Sequence, residues 1–112
     1  MFGLSKKITP SSLISNTMVI VGNVKSDSEV YVDGVIEGDV DCKTIIVGIN
    51  GKIKSNIIHA EKIVVHGSVE GNIDAVSVYL GPSARINGNI THKDISIENG
   101  AFVSGEVKQK RN

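Results

Sequence analysis

The sequence predicts an all-β fold, a right-handed parallel β-helix (β-solenoid) of about six coils with short disordered tails. Three observations predict it. Composition is the first: twelve glycines, many Val and Ile, and few Leu or Ala are poor material for helices and good material for strands. Periodicity is the second: apolar residues alternate by two, as in Val30-Tyr31-Val32 and Ile95-Ser96-Ile97, and no segment repeats at the 3, 4 and 7 spacing of a helix. The third is an internal repeat. A phrase of branched apolar, any residue, small, polar and branched apolar begins at Ile20, Ile36, Ile53, Val69, Ile86 and Val103, in steps of 16, 17, 16, 17 and 17.

A repeat of that length is too short for helical solenoid units and far too short for a propeller blade. It suits one turn of a coil made of short strands and tight corners, each strand pairing in parallel with its copy about 4.8 Å away. Inward positions then stack into ladders. One runs Ile20, Ile36, Ile53, Val69, Ile86, Val103, and a second runs Val24, Val40, Ile57, Ile73, Ile90, Val107. β-Branched side chains suit such stacks because they are stiff at χ1. Gly22, Gly38, Gly71, Gly88 and Gly105 fall between the ladders, and Ser55 interrupts them, so the site is expected to want a small residue and not strictly a positive φ. A second phrase, Val30-x-Val32, Ile45-x-Val47, Ile63-x-Val65, Val78-x-Leu80 and Ile95-x-Ile97, supplies a further face. The step drifts between 16 and 17, which disfavours the strict hexapeptide left-handed coil, and crossover connections prefer the right hand.

The expected organisation is a flexible tail at 1–16, a β-helix domain at 17–108 and a short basic tail at 109–112. Equal numbers of basic and acidic residues, 12 and 12, argue against nucleic acid as a partner. One cysteine, Cys42, excludes an intrachain disulfide and fits a reducing cytosol. It aligns with Ser26 and Ala75 as a small packed position. No apolar run approaches the roughly 18 residues of a membrane span, and Met1–Leu4 is too short for a signal-peptide core.

At the residues from Ile20 to Val107 the sequence resembles the bactofilin family. The matching features are the ordered copies, the openings V-x-V-x-G at Val30–Gly34 and I-V-V-H-G at Ile63–Gly67, and the closing I-E-N-G-A-F-V-S-G at Ile97–Gly105. The resemblance implies a bacterial cytoskeletal protein that forms non-polar filaments without a nucleotide. It also implies a place on the inner face of the cytoplasmic membrane, where filaments position cell-wall enzymes or other membrane proteins that shape cells and appendages. Met1-Phe2-Gly3-Leu4 with Lys6 and Lys7 resembles the short apolar-then-basic leader of membrane-binding members; Phe2 and Leu4 would enter the interface and the lysines meet anionic lipid.

Physics reaches polymerisation independently. A solenoid's end coils present unpaired backbone groups beside a slice of core, which proteins normally cap. The five residues after Val107 cannot form a cap, and 1–16 show no amphipathic helix. Ile20 and Val24 at one end, and Phe102, Val103 and Val107 at the other, are therefore the expected joint with further copies of the chain. Phe102 either joins that surface or plugs its own subunit's core. Tyr31, Ile46, Val64 and Tyr79 occupy one outward position in successive coils and are expected to form a lateral contact stripe.

Two other functions fit a β-coil. Left-handed β-helix enzymes include acyltransferases and carbonic anhydrases, the latter binding zinc through three histidines, and this chain has His59, His66 and His92. Counting from the ladders places His59 and His92 near one corner, two coils or about 10 Å apart, and His66 at another. That is too far for one zinc, whose ligand nitrogens sit about 2.1 Å from the metal. No base stands beside Cys42, Glu37 and Glu70 read as a solvated face, and no phosphate-binding loop occurs. No cofactor and no catalytic residue are expected. A monomeric β-solenoid adaptor is the remaining alternative.

Overall fold

The computed structural model of the chain describes residues 11–110; residues 1–10 and 111–112 lie outside it. Twelve strands form one sheet among the described residues: β1 (Ser11–Ile14), β2 (Val19–Val21), β3 (Val24–Val32), β4 (Val35–Glu37), β5 (Val40–Val47), β6 (Lys52–Val65), β7 (Ser68–Leu80), β8 (Arg85–Asn87), β9 (Ile90–His92), β10 (Asp94–Ile97), β11 (Phe102–Ser104) and β12 (Val107–Gln109). Every pairing is parallel, each strand lying on the segment one coil away. The fold is a parallel β-solenoid.

Each coil contributes one rung to three stacks. The first stack is β2, β4, the openings of β6 and β7, β8 and β11. The second is the openings of β3 and β5, the middles of β6 and β7, β9 and β12. The third is β1, the ends of β3, β5, β6 and β7, and β10. Long strands run through a corner, so β6 and β7 each serve all three stacks. The core is the column these inward residues enclose, almost wholly Ile, Val, Leu and Ala. Ile36, Ile53, Val69 and Ile86 of the first ladder are each at most 2% exposed, as the repeat requires.

The second ladder departs from expectation at one rung. Its third member is Ile58, paired with Val40 and Ile73, while Ile57 faces outward at 43% exposure. Between the two ladders the third coil spends five residues, Ile53 to Ile58, where its neighbours spend four, and a bulge between Lys54 and Ile57 absorbs the extra one. Asp39 holds that bulge in place: its Oδ1 accepts the N–H groups of Asn56 and Ile57 at 3.1 and 3.3 Å. Ser55 Oγ donates to the Ile57 carbonyl at 2.8 Å. A similar irregularity lies between Ser26 and Glu29, where β3 spends one residue more than β5 spends between Cys42 and Thr44.

That bulge also corrects the reading of Ser55. The corner glycines all have positive φ, and at Gly71 (φ 136) an added Cβ would run into the Ser55 carbonyl oxygen of the coil before. Glycine is therefore required, not merely a small residue. The third coil escapes the requirement by spending two residues, Ser55 and Asn56, where the next coil spends one.

The expected boundary between tail and domain also moves. β1 pairs with β3 from Ser11, and Ile14 is buried against Val32, so the solenoid begins inside the stretch 1–16 assigned to the tail. Leu13-Ile14 carries only one inward residue and no copy of the repeated phrase, which is why the repeat alone places the boundary too late. At the other end β12 runs to Gln109.

Candidate polymerisation ends and lateral surface

The repeating phrase has a fourth, polar position whose role the spacing alone does not disclose. Asn23 Oδ1 accepts the N–H of Asp39 at 3.0 Å, Asn72 that of Asn89 at 3.1 Å, and Asn89 that of Glu106 at 3.0 Å. With Asp39 at the bulge, this makes a side-chain ladder that ties every corner except the third, at Ser55-Asn56, to the next coil. The signal was present: five of the six copies carry Asn or Asp there, residue types whose short side chains bond backbone N–H groups.

The two ends leave such pairing unfinished. β1, β2 and the opening of β3 have partners only toward the C-terminal side, and β10, β11 and β12 only toward the N-terminal side. At the N-terminal end Ile20 and Val24 are half-buried on the core, and Val19 and Val21 beside them are 63% and 77% exposed. At the C-terminal end Val103 is half-buried on the core, while Val107 is 43% and Ile97 48% exposed. No described residue lies over either end.

Phe102 is not a core plug. It pairs with Arg85, an outward position, because the inward residue of that strand is Val103. Its ring is 53% exposed and lies under the Arg85 guanidinium, 5.9 Å from Cζ to the ring centroid. Phe102 thus stands at the outer rim of the last coil.

The stripe residues align as the repeat implies: Tyr31, Ile46, Val64 and Tyr79 share one outward column. The column extends one coil higher, to the exposed Leu13, and ends at Ser96. Its rings are held down. A Cβ on Gly48 would come within 2.7 Å of the Tyr31 hydroxyl, and the His66 ring lies over Gly81, edge-on to Tyr79 with centroids 6.0 Å apart. Partial burial, then the charge and hydrogen bond of Glu98, push the Tyr79 phenol above its ordinary pKa.

The histidines separate further than the sequence count implies. The bulge puts His59 on the outward column, 3.6 Å from Asp41, while His92 follows Ala60 and Ala75 on the inward one. His92 is the one buried polar side chain among the described residues, and its Nδ1 has no hydrogen-bond partner. Among those residues no cluster of three or more His, Cys, Asp or Glu is arranged to hold a metal. No helix there is long and apolar enough to cross a membrane. The leader residues Met1, Phe2, Leu4, Lys6 and Lys7 lie outside the described residues.

Cys42 sits on the inward column between Ser26 and Ala60. Burial first, then the neighbouring Asp41 charge, push its thiol up to about 11 from 9.0. Two units mean roughly 100-fold less thiolate at pH 8. Alkylation by iodoacetamide at pH 8 should accordingly be slower by about that factor in the folded chain than in urea, read by mass spectrometry.

The family model for bactofilins, described as polymer-forming cytoskeletal, matches residues 12–108. The chain belongs to the bactofilin family. No curated protein sequence matches it. Among solved structures, the cytoskeletal bactofilin BacA, determined by solid-state NMR, is 33% identical with a TM-score of 0.83, covering 93% of this chain and 100% of that one. The cryo-EM reconstruction of Thermus thermophilus bactofilin double helical filaments is 25% identical with a TM-score of 0.84, covering 88% and 99%. A crystal structure of a mutant Thermus thermophilus bactofilin, at 24% identity, TM-score 0.76 and 80% and 100% coverage, adds the shared fold. A bactofilin is a polymer-forming structural protein, and the acyltransferase, carbonic anhydrase and monomeric-adaptor readings give way to that.

Proposed function

We propose that this bactofilin polymerises end to end through Ile20 and Val24 at one face and Phe102, Val103 and Val107 at the other. One observation carries the reading: each end exposes three half-paired strands around apolar residues that belong to the core. Stacking a second copy there continues the column, and each half-buried aliphatic side chain it covers contributes roughly half of the 1.5–3 kcal/mol that complete burial gives. The chemistry needs no nucleotide, because the driving force is burial and strand pairing. Phe102 acts at the rim, lapping its ring across the joint.

The Phe102→Arg variant tests this. It sets a second guanidinium beside Arg85 and removes the apolar rim, so filaments in negative stain should give way to small particles with unchanged circular dichroism. Filaments of undiminished length would refute the assigned joint. The leader, with Phe2 and Leu4 for the lipid interface and Lys6 and Lys7 for anionic headgroups, anchors the filament to the inner face of the cytoplasmic membrane. One leader is too weak for stable binding, and the filament supplies many. There it positions cell-wall, cell-shape or appendage machinery. A chain lacking residues 1–7 should form filaments yet stay in the supernatant when anionic vesicles are sedimented; unchanged sedimentation would refute the anchor.

A further inference from the structure

The third stack carries an apolar column, Leu13 to Tyr79, with carboxylates along its margins. The carboxylates gather at its two ends: Glu29 and Asp33 flank the Tyr31 rung, and Asp94 and Glu98 flank Ser96, the rung next to Tyr79. Between those ends the margins carry one lysine, Lys62, and one histidine, His66, so carboxylates outnumber the basic groups four to two. Neither of the two simplest occupants fits. A second copy laid face to face would bring like charges together, and an anionic lipid surface would be repelled by the same groups. What fits is a segment that is apolar and basic at once.

The chain itself supplies one. Residues 1–8 contain Phe2, Leu4 and Ile8 together with Lys6 and Lys7. The segment joins the fold at Ser11, the first residue of β1 and two residues before Leu13, so it enters on this very stack. Ten extended residues reach roughly 33 Å. Four rung spacings, from Leu13 to Tyr79, cover roughly 19 Å. The tether is long enough, and it raises the local concentration of the segment into the millimolar range.

We propose that Met1–Ile8 docks along the Leu13–Tyr79 column, its lysines against these carboxylates, and that anionic lipid competes for it. The docking rests on the column and its charges; the competition rests on the leader acting as the membrane anchor. Docked, the leader is withheld from lipid and covers a half-exposed stripe. Released, it anchors the filament and bares the stripe for other contacts.

The chain contains two tyrosines and no tryptophan, and both tyrosines, Tyr31 and Tyr79, belong to this column. Intrinsic fluorescence therefore reports on the column alone. Acrylamide quenching of the full chain is compared with the Phe2→Ser/Leu4→Ser/Lys6→Glu/Lys7→Glu variant at equal subunit concentration, with circular dichroism as the check on folding. The quenching constant should rise about twofold in that variant, as expected for loss of a tethered contact of moderate occupancy. The Lys6→Arg/Lys7→Arg variant should retain protection. Anionic phospholipid vesicles should raise quenching of the full chain, and zwitterionic vesicles should not. Equal quenching with and without the leader residues overturns the docking. So does protection that grows with subunit concentration and ignores the leader, since a second copy is then the occupant. Leader-dependent protection that anionic vesicles leave untouched upholds the docking and rejects the membrane anchor.

Discussion

Gly71→Ala should destabilise the solenoid by more than about 3 kcal/mol, a large part of the 5–15 kcal/mol that holds a typical domain. Two costs combine. Gly71 has φ 136, where an L side chain is strained by about 1–3 kcal/mol. Its added methyl also meets the Ser55 carbonyl oxygen, which is backbone in the bulge and has no rotamer to yield. Gly22→Ala separates the terms, because Gly22 has nearly the same φ, 135, but nothing within 4 Å of its Cβ position. That variant should lose only the conformational strain. Urea denaturation followed by circular dichroism, at one subunit concentration, measures both. Equal midpoints for the two variants would show that coil-to-coil contact at the corner is unimportant. The experiment bears on assembly as well, since the corner glycines let successive coils approach closely enough to share the Asx ladder.

Much of this molecule was legible in its sequence, and the residues show why. The first ladder and the Val30–Val32 series repeat one chemical choice at fixed intervals, and a parallel stack admits only one arrangement of them. The lateral column followed from the same register, because an outward residue between two inward ones keeps its side. What was illegible depends on a single inserted residue. Counting forward from Ile53 puts Ile57 inward and sets His59 and His92 on equivalent sites. The bulge at Ser55-Asn56 shifts everything from there to the next corner by one, and a one-residue slip reverses which face a side chain takes. The clue was the missing glycine, visible but ambiguous between a tolerant site and a different backbone. The sequence leaves Phe102 open between the end surface and a core plug, because an aromatic beside an inward valine fits both until the pairing with Arg85 assigns it to the rim. The acidic ends of the stripe are illegible in the sequence because Glu29 and Asp33 belong to one coil and Asp94 and Glu98 to another far along the chain.

The bulge makes a sharp demand on two adjacent isoleucines. Ile58→Ala should cost about 2–5 kcal/mol, the range for truncating a buried aliphatic side chain. Ile57→Ala should stay within about 0.5 kcal/mol of the parent, as exposed substitutions do. Ile58 is fully enclosed between Val40 and Ile73, whereas Ile57 stands outside with its N–H on Asp39 and its carbonyl on Ser55. The plain spacing of the repeat makes the opposite demand, with Ile57 inside, so reversed midpoints in urea would reject the bulge and restore an unbroken register. Because each coil of a solenoid is supported mainly by its neighbours, a cavity at Ile58 weakens the coils on both sides of it. The damage sits mid-column, away from both joints, so the Ile58→Ala subunit should still build filaments wherever it remains folded. Loss of filaments in a subunit that stays folded would mean that the ends depend on the middle, and that the open faces alone do not explain assembly.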